Sequence, residues 1–222
     1  MSDSLSMMAT TGLLGYGFGE EAFRYGLEMD LDFIAADAGS MDPGPHYLGA
    51  GIPFVSRKAI KRDIGLMLEG ALEKGVPMLI GSAGGGGSAP QVALVREVIE
   101  EIAEEQGYHF KMAVIHADQS KEYLHEKLKA GKIEPLGPID DVTEGTIEET
   151  HRVVAMMGVE PFQQALRDGA QVVLAGRATD ASIYSAIPLM QGYDPGLVWH
   201  LSKIIECAGA VAVPKSGQDC MI

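Results

Sequence analysis

The chain has 222 residues, with 31 acidic and 17 basic side chains and a formal net charge of −14. So acidic a surface repels phosphate groups, which excludes nucleic acid and anionic membranes as expected partners. Its two cysteines form no CxxC pair, so neither a disulfide framework nor a zinc knuckle is indicated. No signal peptide is recognisable, and no apolar run reaches the roughly 20 residues that cross a bilayer. We therefore expect a cytoplasmic protein.

Short apolar runs alternate with amphipathic helical patterns along the chain. Four continuously apolar runs predict strands covered on both faces, at residues 32–37, 77–82, 110–116 and 171–176, with a weaker candidate near 10–16. Helices are predicted at about 56–75, 90–106, 120–130, 143–157, 161–168 and 195–210. The alternation favours right-handed crossovers, and so a doubly wound α/β fold: a mostly parallel sheet with helices on both faces, in a single domain of residues 1–222.

Ligands of open parallel sheets bind beyond the carboxyl ends of the strands, so the loops that follow the strands are the candidate sites. The loop after the first clear strand runs from Asp37 towards Ser56, far beyond the usual 4–6 or so residues. Asp37, Asp42 and His46 are its acid–base candidates. Ser40 is a candidate for substrate binding. Alternatively, Asp37 and Ser40 are only turn and cap residues.

The next loop is a glycine segment, residues 81–90, with the sequence GSAGGGGSAP. Glycines let the backbone approach a ligand closely, and the following helix offers unpaired N–H groups and the positive end of its dipole. The segment has neither the Gly-Lys-Ser/Thr of a P-loop nor a strict GxGxxG. We predict that it binds an anion through Ser82, Gly84, Gly85, Gly86, Gly87 and Ser88. A flexible hinge is the alternative.

Two further loops carry polar residues. Arg177 directly follows the run at 171–176, where a guanidinium can grip a carboxylate or phosphate. Asp180 is a second binding candidate there, or a helix cap. Asp118 follows the run at 110–116, again as a cap or a site residue. Asp37, Asp118 and Asp180 could converge on a divalent cation. Because nothing in the spacing requires this, no metal ligand is assigned and the cofactor is left unknown.

The last predicted helix places four polar residues at spacings that could share one face: His200, Lys203, Glu206 and Cys207. We interpret this face as packing. The chain has neither a GxSxG nor an HExxH motif, so the common hydrolase machinery is not indicated.

Seven segments in chain order carry a family resemblance: GLLGYGFGEEAFRYGLE, DFIAADAGSMDPGPHYLG, VSRKAIKRDIGLMLEGAL, PMLIGSAGGGG, MMGVEPFQQAL, VLAGRATDASIYSAIPL and GLVWHLSKIIECAGAVAVP. Together they resemble the acyclic terpene utilisation (AtuA) family from about residue 11 onwards. Members are similar to proteins encoded near enzymes that handle branched acyl-CoA thioesters. The resemblance implies a role in the catabolism of acyclic terpenoid or other branched acids, and names no reaction. Family members continue past Pro214, so we expect this chain to be the N-terminal portion.

Two functions follow from the sequence. The first is a catabolic enzyme, or its N-terminal half, that acts on a branched or acyclic terpenoid carboxylate or its CoA thioester by hydration or lyase chemistry. The second is a non-catalytic α/β ligand-binding or assembly subunit that needs a partner chain. In either case the expected ligand is a small anion, and the expected assembly is a homo-oligomer or a complex with a further subunit. A nucleotide-dependent enzyme is a third possibility.

Overall fold

A computed structural model describes residues 4–39, 44–213 and 220–222. Its centre is a five-stranded parallel sheet with the order β1-β2-β3-β5-β4. The strands are β1 Met7–Ala9, β2 Phe33–Asp37, β3 Met78–Gly81, β4 Met112–Ile115 and β5 Val172–Ala175. The four strongly apolar runs are confirmed as strands. The weaker candidate near 10–16 is wrong, because Gly15 (φ 103°) turns the chain away just after β1.

The helices are α1 Glu20–Leu27, α2 His46–Ala50, α3 Arg57–Lys74, α4 Ala89–Gln106, α5 Lys121–Lys129, α6 Glu144–Glu149, α7 Glu160–Arg167, α8 Ser182–Gln191 and α9 Pro195–Ile205, followed by a 3₁₀ turn at Ala208–Val211. The local signals of α3 are confirmed: the Ser56 hydroxyl caps Ala59 N at 3.2 Å, and Gly75 ends the helix with φ 67°. The helix predicted at 143–157 is wrong after Glu149. Thr150 is extended, and Met157 forms an isolated bridge with Ala178.

Helices cover both faces of the sheet, as a doubly wound fold requires. Ile34, Met78 and Leu174 point to the face packed by α1, α3 and α4. The alternate residues, such as Phe33 and Val173, point to the face packed by α7, α8 and α9. The connection from β4 back to β5 reverses direction across the sheet, so a right-handed crossover places α7 on the second face. None of the helices in the described residues combines the length and apolarity that crossing a membrane demands.

The strand order creates a crevice at the carboxyl edge of the sheet. Strands β3 and β5 are neighbours, yet the chain leaves β3 for α4 on one face and leaves β5 for α8 on the other. Doubly wound proteins bind ligands where consecutive connections diverge in this way. The loops after β2, β3 and β5, which are neighbouring strands, lie at this edge and form the candidate site.

Candidate functional site

Three strand-end loops are hydrogen-bonded to one another at this edge. Ala38 N, just after β2, donates to Gly81 O at 2.9 Å, and Ser82 N donates to Gly176 O at 3.0 Å. The buried Ser82 hydroxyl donates to Ala178 O and accepts from Ala178 N, both at 3.2 Å. Because these bonds join the ends of β2, β3 and β5, the structure brings the predicted site residues Asp37, Ser82 and Arg177 to one rim.

Three acidic side chains meet there in what we call the carboxylate cluster: Asp37, Asp180 and Glu206, each with an oxygen within 4.8 Å of the others. Asp37 is 1% exposed and Glu206 6% exposed. Glu206 also accepts from Lys203 Nζ at 2.5 Å and from Cys207 Sγ at 3.3 Å.

The composition of the cluster corrects two sequence-based interpretations. Glu206, at the end of α9, was interpreted as part of a packing face. Instead, α9 packs on α8 and brings this carboxylate to the ends of β2 and β5. Asp118, the third aspartate considered for a cation, is exposed beyond β4 and bridges to Val154 instead of joining the cluster. Strand β4 lies at the sheet edge, which keeps Asp118 away from the crevice between β3 and β5.

Burial and mutual repulsion act on the two aspartates of the cluster. Burial raises the pKa of Asp37 well above its ordinary value, and the Asp180 charge raises it further, while the Gly39 N–H, 3.1 Å from Oδ1, acts in the opposite direction. Burial also raises the pKa of Asp180, against the lowering effect of Arg177. The cluster therefore favours a bound proton or another positive charge.

Unpartnered polar atoms surround the cluster. Among the described residues, Arg177 Nη1, Asp180 Oδ1 and Tyr184 Oη are buried without a hydrogen-bond partner. Arg177 Nη2 lies 3.9 Å from Asp180 Oδ1, too far for a hydrogen bond. Burial, then the Asp37 charge, raises the pKa of the Tyr184 hydroxyl. Buried polar atoms are nearly always satisfied in folded proteins, so these three atoms make this rim the candidate site.

The glycine segment packs tightly against the same rim. Residues 81–88 are all buried. Gly85 N donates to Ser82 O at 3.0 Å, and Gly87 N donates to Ala83 O at 3.1 Å. A Cβ added at Gly87 would lie 2.2 Å from Arg177 N, so glycine is needed here for the close approach of two backbones. Anion binding by the segment stays a prediction, which would rest first on the amides of Gly84 and Gly86.

Gln91 is a structural residue of this region that the sequence analysis did not identify. Its Oε1 accepts from Ser88 N at 3.0 Å and from Ser88 Oγ at 2.8 Å, and its Nε2 donates to Ile52 O at 2.9 Å and Gly84 O at 3.1 Å. Gln91 therefore satisfies Ser88 at the N-terminus of α4. The Ser-x-x-Gln spacing of a capping box is the signal that could have revealed it.

The remaining predicted residues follow β2 and β5 in the chain. His46 begins α2 on the surface, where its ring packs edge-on against Tyr47 at 5.3 Å. Ser40 and Asp42 lie outside the described residues. Asp180 does not cap α8, because the N-cap position belongs to Ala181 and has no side-chain hydrogen bond. Tyr184, in the first turn of α8, was not predicted.

The fold and the rim define a doubly wound α/β protein with an acidic centre at the strand ends. The profile of the acyclic terpene utilisation family protein AtuA matches residues 58–215, which is more than half of the chain. The chain therefore belongs to the AtuA family, whose name indicates involvement in acyclic terpene utilisation. The matched region contains Arg177, Asp180, Tyr184 and Glu206, while Asp37 precedes it. Comparison with curated proteins and with solved structures gave no match.

Proposed function

We propose that this protein is a catabolic enzyme that acts on an acyclic terpenoid or other branched carboxylic acid, or on its CoA thioester, at the rim formed by β2, β3 and β5. Membership of the AtuA family supports the metabolic context. The single observation that carries the proposal is the buried Arg177 Nη1, which has no partner among the described residues although it lies in the crevice of a doubly wound sheet.

Arg177 holds the anionic end of the substrate. A guanidinium with a buried, unpaired N–H has lost water without recovering its hydrogen bond, and a planar carboxylate or a phosphate restores it, often with two parallel bonds. The glycine segment adjoins Arg177 at Gly87, so Ser82, Gly84–Gly87 and Ser88 remain proposed neighbours of the ligand. Because the Gly85 and Gly87 amides donate within the segment, Arg177 carries most of the anion binding.

Hydration or lyase chemistry beside a thioester carbonyl fits the groups near Arg177. Such reactions need a group that moves a proton at the carbon next to the carbonyl and donors that stabilise the resulting oxyanion. Asp37 is a buried carboxyl group near Arg177 and Asp180, and the buried Tyr184 hydroxyl lies near Asp37. Asp42 and His46 are the other proposed acid–base residues.

The test measures ligand binding to the purified chain by calorimetry, with a panel of branched acids and their CoA thioesters. We expect saturable binding that Arg177→Gln weakens at least ten-fold. Arg96→Gln is the matched control, since Arg96 is an exposed arginine of α4 that pairs only with Glu100 in the described residues. If no acid or thioester binds the wild-type chain, or if both variants bind equally, the proposal is wrong.

A second candidate function is an assembly subunit that needs a partner chain. It is favoured by the exposed apolar side chains of Leu197, Leu201 and Ile204, which recur at i, i+4 and i+7 on one face of α9. The two functions differ in turnover. An enzyme turns over an acyl-CoA by itself and loses this activity in Asp37→Asn while retaining binding, whereas an assembly subunit binds and shows turnover only after a second subunit is added.

A further inference from the structure

We propose that the carboxylate cluster is a binding site for one divalent cation of the oxygen-preferring class, Mg²⁺ or Mn²⁺, held by Asp37, Asp180 and Glu206. The three residues come from the end of β2, the loop after β5 and the end of α9, so the ligands converge from three separate elements. Carboxylate oxygens without nitrogen or sulfur ligands are typical of hard cations.

The separation of the ligand oxygens suits such an ion. The three oxygens lie within 4.8 Å of one another. Oxygens bound to Mg²⁺ at about 2.0–2.1 Å are about 3 Å apart when adjacent and about 4.2 Å apart when opposite. The side chains therefore need only small rotamer adjustments to share one ion, and the remaining coordination positions are available to water or to an oxygen of a ligand.

The charge balance of the cluster also calls for a cation. Three carboxylates are brought together, and two of them are almost completely buried. Lys203 pairs with Glu206, but its side chain is 72% exposed and so is largely solvated. Arg177 stays 3.9 Å from Asp180 and contributes no hydrogen bond to it. A divalent cation neutralises the excess negative charge and leaves Arg177 free for an anionic ligand.

The orphaned hydroxyl of Tyr184 is an independent indication of a ligand. Tyr184 is completely buried, and its Oη has no hydrogen-bond partner among the described residues. The carboxylates of Asp37 and Glu206 act on this hydroxyl, and the Asp37 backbone lies close to it, so it borders the cluster. Around metal ions, donors such as this hydroxyl hydrogen-bond to the oxygens or waters that coordinate the ion. A bound cation with its waters supplies the partner that the buried hydroxyl otherwise lacks.

Another buried carboxylate, outside the cluster, differs from it in the number of hydrogen-bond donors. Asp63 in α3 is 0% exposed, and it accepts from Gly15 N at 2.8 Å, from Gly17 N at 3.0 Å and from Arg62 Nη1 at 2.9 Å. Protein donors thus satisfy its charge completely. By contrast, within the described part of the chain the Gly39 amide is the donor to Asp37 Oδ1, and Asp180 Oδ1 has no donor there.

A bound cation would take part in binding the substrate. An ion held by the cluster lies beside the Arg177 guanidinium, where it can coordinate a carbonyl or carboxylate oxygen of an anionic ligand. Asp37 would then act through the cation rather than as a free base. The inference is independent of the substrate class, because binding of the ion is measured without any organic ligand. A negative result for acid or thioester binding would therefore leave the cation site unaffected, and a negative result for cation binding would leave the proposed acyl chemistry unaffected.

The experiment titrates Mn²⁺ into the full chain after treatment with a chelator and gel filtration, and follows the electron paramagnetic resonance signal of the free ion. We expect saturation at one Mn²⁺ per chain and displacement by Mg²⁺. Asp180→Asn and Glu206→Gln should each weaken binding at least ten-fold. Both substitutions preserve side-chain volume, and circular dichroism checks that the variants are folded.

Two control variants make the result specific to the cluster. Asp63→Asn removes a buried carboxylate that is already satisfied, and Glu101→Gln removes an exposed one that pairs with Arg57 and Lys61. Both should bind Mn²⁺ as the wild type does; Glu101→Gln alone suffices if Asp63→Asn fails to fold. The proposal is overturned if no saturable binding occurs up to about 10 mM, above the weakest range of protein sites for hard cations. It is equally overturned if Asp180→Asn and Glu206→Gln leave binding unchanged.

Discussion

The glycine segment and the carboxylate cluster lie at the same rim of the sheet, yet most amides of the segment have hydrogen-bond acceptors, while several buried atoms around the cluster have no described partner. In the glycine segment, the amides of Ser82, Ala83, Gly85, Gly87 and Ser88 all donate to acceptors within the protein. Around the cluster, buried atoms of Arg177, Asp180 and Tyr184 have no partner among the described residues. A buried polar group that is satisfied contributes to the scaffold, whereas one left unsatisfied costs stability and indicates a site for a ligand.

The same contrast exists between two buried hydroxyls. Ser82 and Tyr184 are both 0% exposed. The Ser82 hydroxyl exchanges two hydrogen bonds with Ala178 and joins the ends of β3 and β5. The Tyr184 hydroxyl borders the carboxylates, and its Oη has no hydrogen-bond partner among the described residues. Three predictions test whether the glycine segment is scaffold and the cluster is functional.

The largest effect is expected from Gly87→Ala. The new Cβ would lie 2.2 Å from Arg177 N and 2.6 Å from Gly176 C, which are backbone atoms that cannot move aside cheaply. We expect a loss of about 4 kcal/mol in the free energy of unfolding, measured by urea denaturation. Gly107→Ala is the control, because Gly107 has a similar φ of 68° but no described atom within 4 Å of the added Cβ. It should cost only about 1–2 kcal/mol. Equal losses would mean that close packing does not require Gly87.

The next effect is a dependence of stability on pH that Asp37 imposes. Its folded pKa is raised well above its ordinary value, so above about pH 4 the unfolded chain releases a proton that the folded chain retains. Stability of the chelator-treated protein should therefore fall as pH rises from about 4 towards the folded pKa, by up to about 1.4 kcal/mol per pH unit.

Asp37→Asn should remove most of this fall, since an amide does not titrate, and leave the smaller contribution of Asp180, whose pKa is also raised. Urea denaturation of both proteins between about pH 4.5 and 8 provides the measurement. Parallel pH profiles for the wild type and the variant would show that the pKa of Asp37 is not raised in the folded protein.

The smallest effect separates the two hydroxyls. Tyr184→Phe removes a buried hydroxyl that has no partner among the described residues. The free energy of unfolding of the chelator-treated protein should therefore rise by about 1 kcal/mol or stay unchanged. Ser82→Ala removes both bonds to Ala178 and leaves a buried amide and carbonyl, so it should lose about 2 kcal/mol. Thermal unfolding at neutral pH compares the pair. A clear loss in Tyr184→Phe would mean that its hydroxyl is satisfied within the folded chain.

The sequence predicted the buried strands correctly but missed helix α8 and the end of helix α6. The runs that became β2, β3 and β5 are continuously apolar because both faces of these strands are covered. Helix α8 was not assigned its own helical pattern, because Ser182–Pro188 is buried on every side and so lacks amphipathic periodicity, and because Pro188 lies inside the helix. Residues 150–157 were wrongly extended from α6, since the bridges at Val154 and Met157 depend on partners distant in sequence.

Some residues of the candidate site could be proposed from the sequence, and others could be found only from the fold. Asp37, Ser82, Arg177 and Asp180 could be proposed from the sequence, because each follows a recognisable strand and the carboxyl ends of parallel strands share one edge. Glu206 could not, because its place in the cluster depends on the packing of α9 against α8, and neither spacing nor composition encodes that contact. Tyr184 could not be proposed either, because its position beside Asp37 and Glu206 depends on the packing of α8 on the sheet.

By itself, the sequence determined the α/β class, the parallel strands and the family resemblance, because apolar periodicity and strand-end motifs are local properties of the chain. The tertiary structure decided which polar groups are satisfied and which are not. Hydrogen bonds and charge neighbours at this rim join residues far apart in sequence, such as Ser82 with Ala178 and Asp37 with Glu206. Only the fold, therefore, shows that the glycine segment is closely packed at Gly87 and that three carboxylates meet at the same rim.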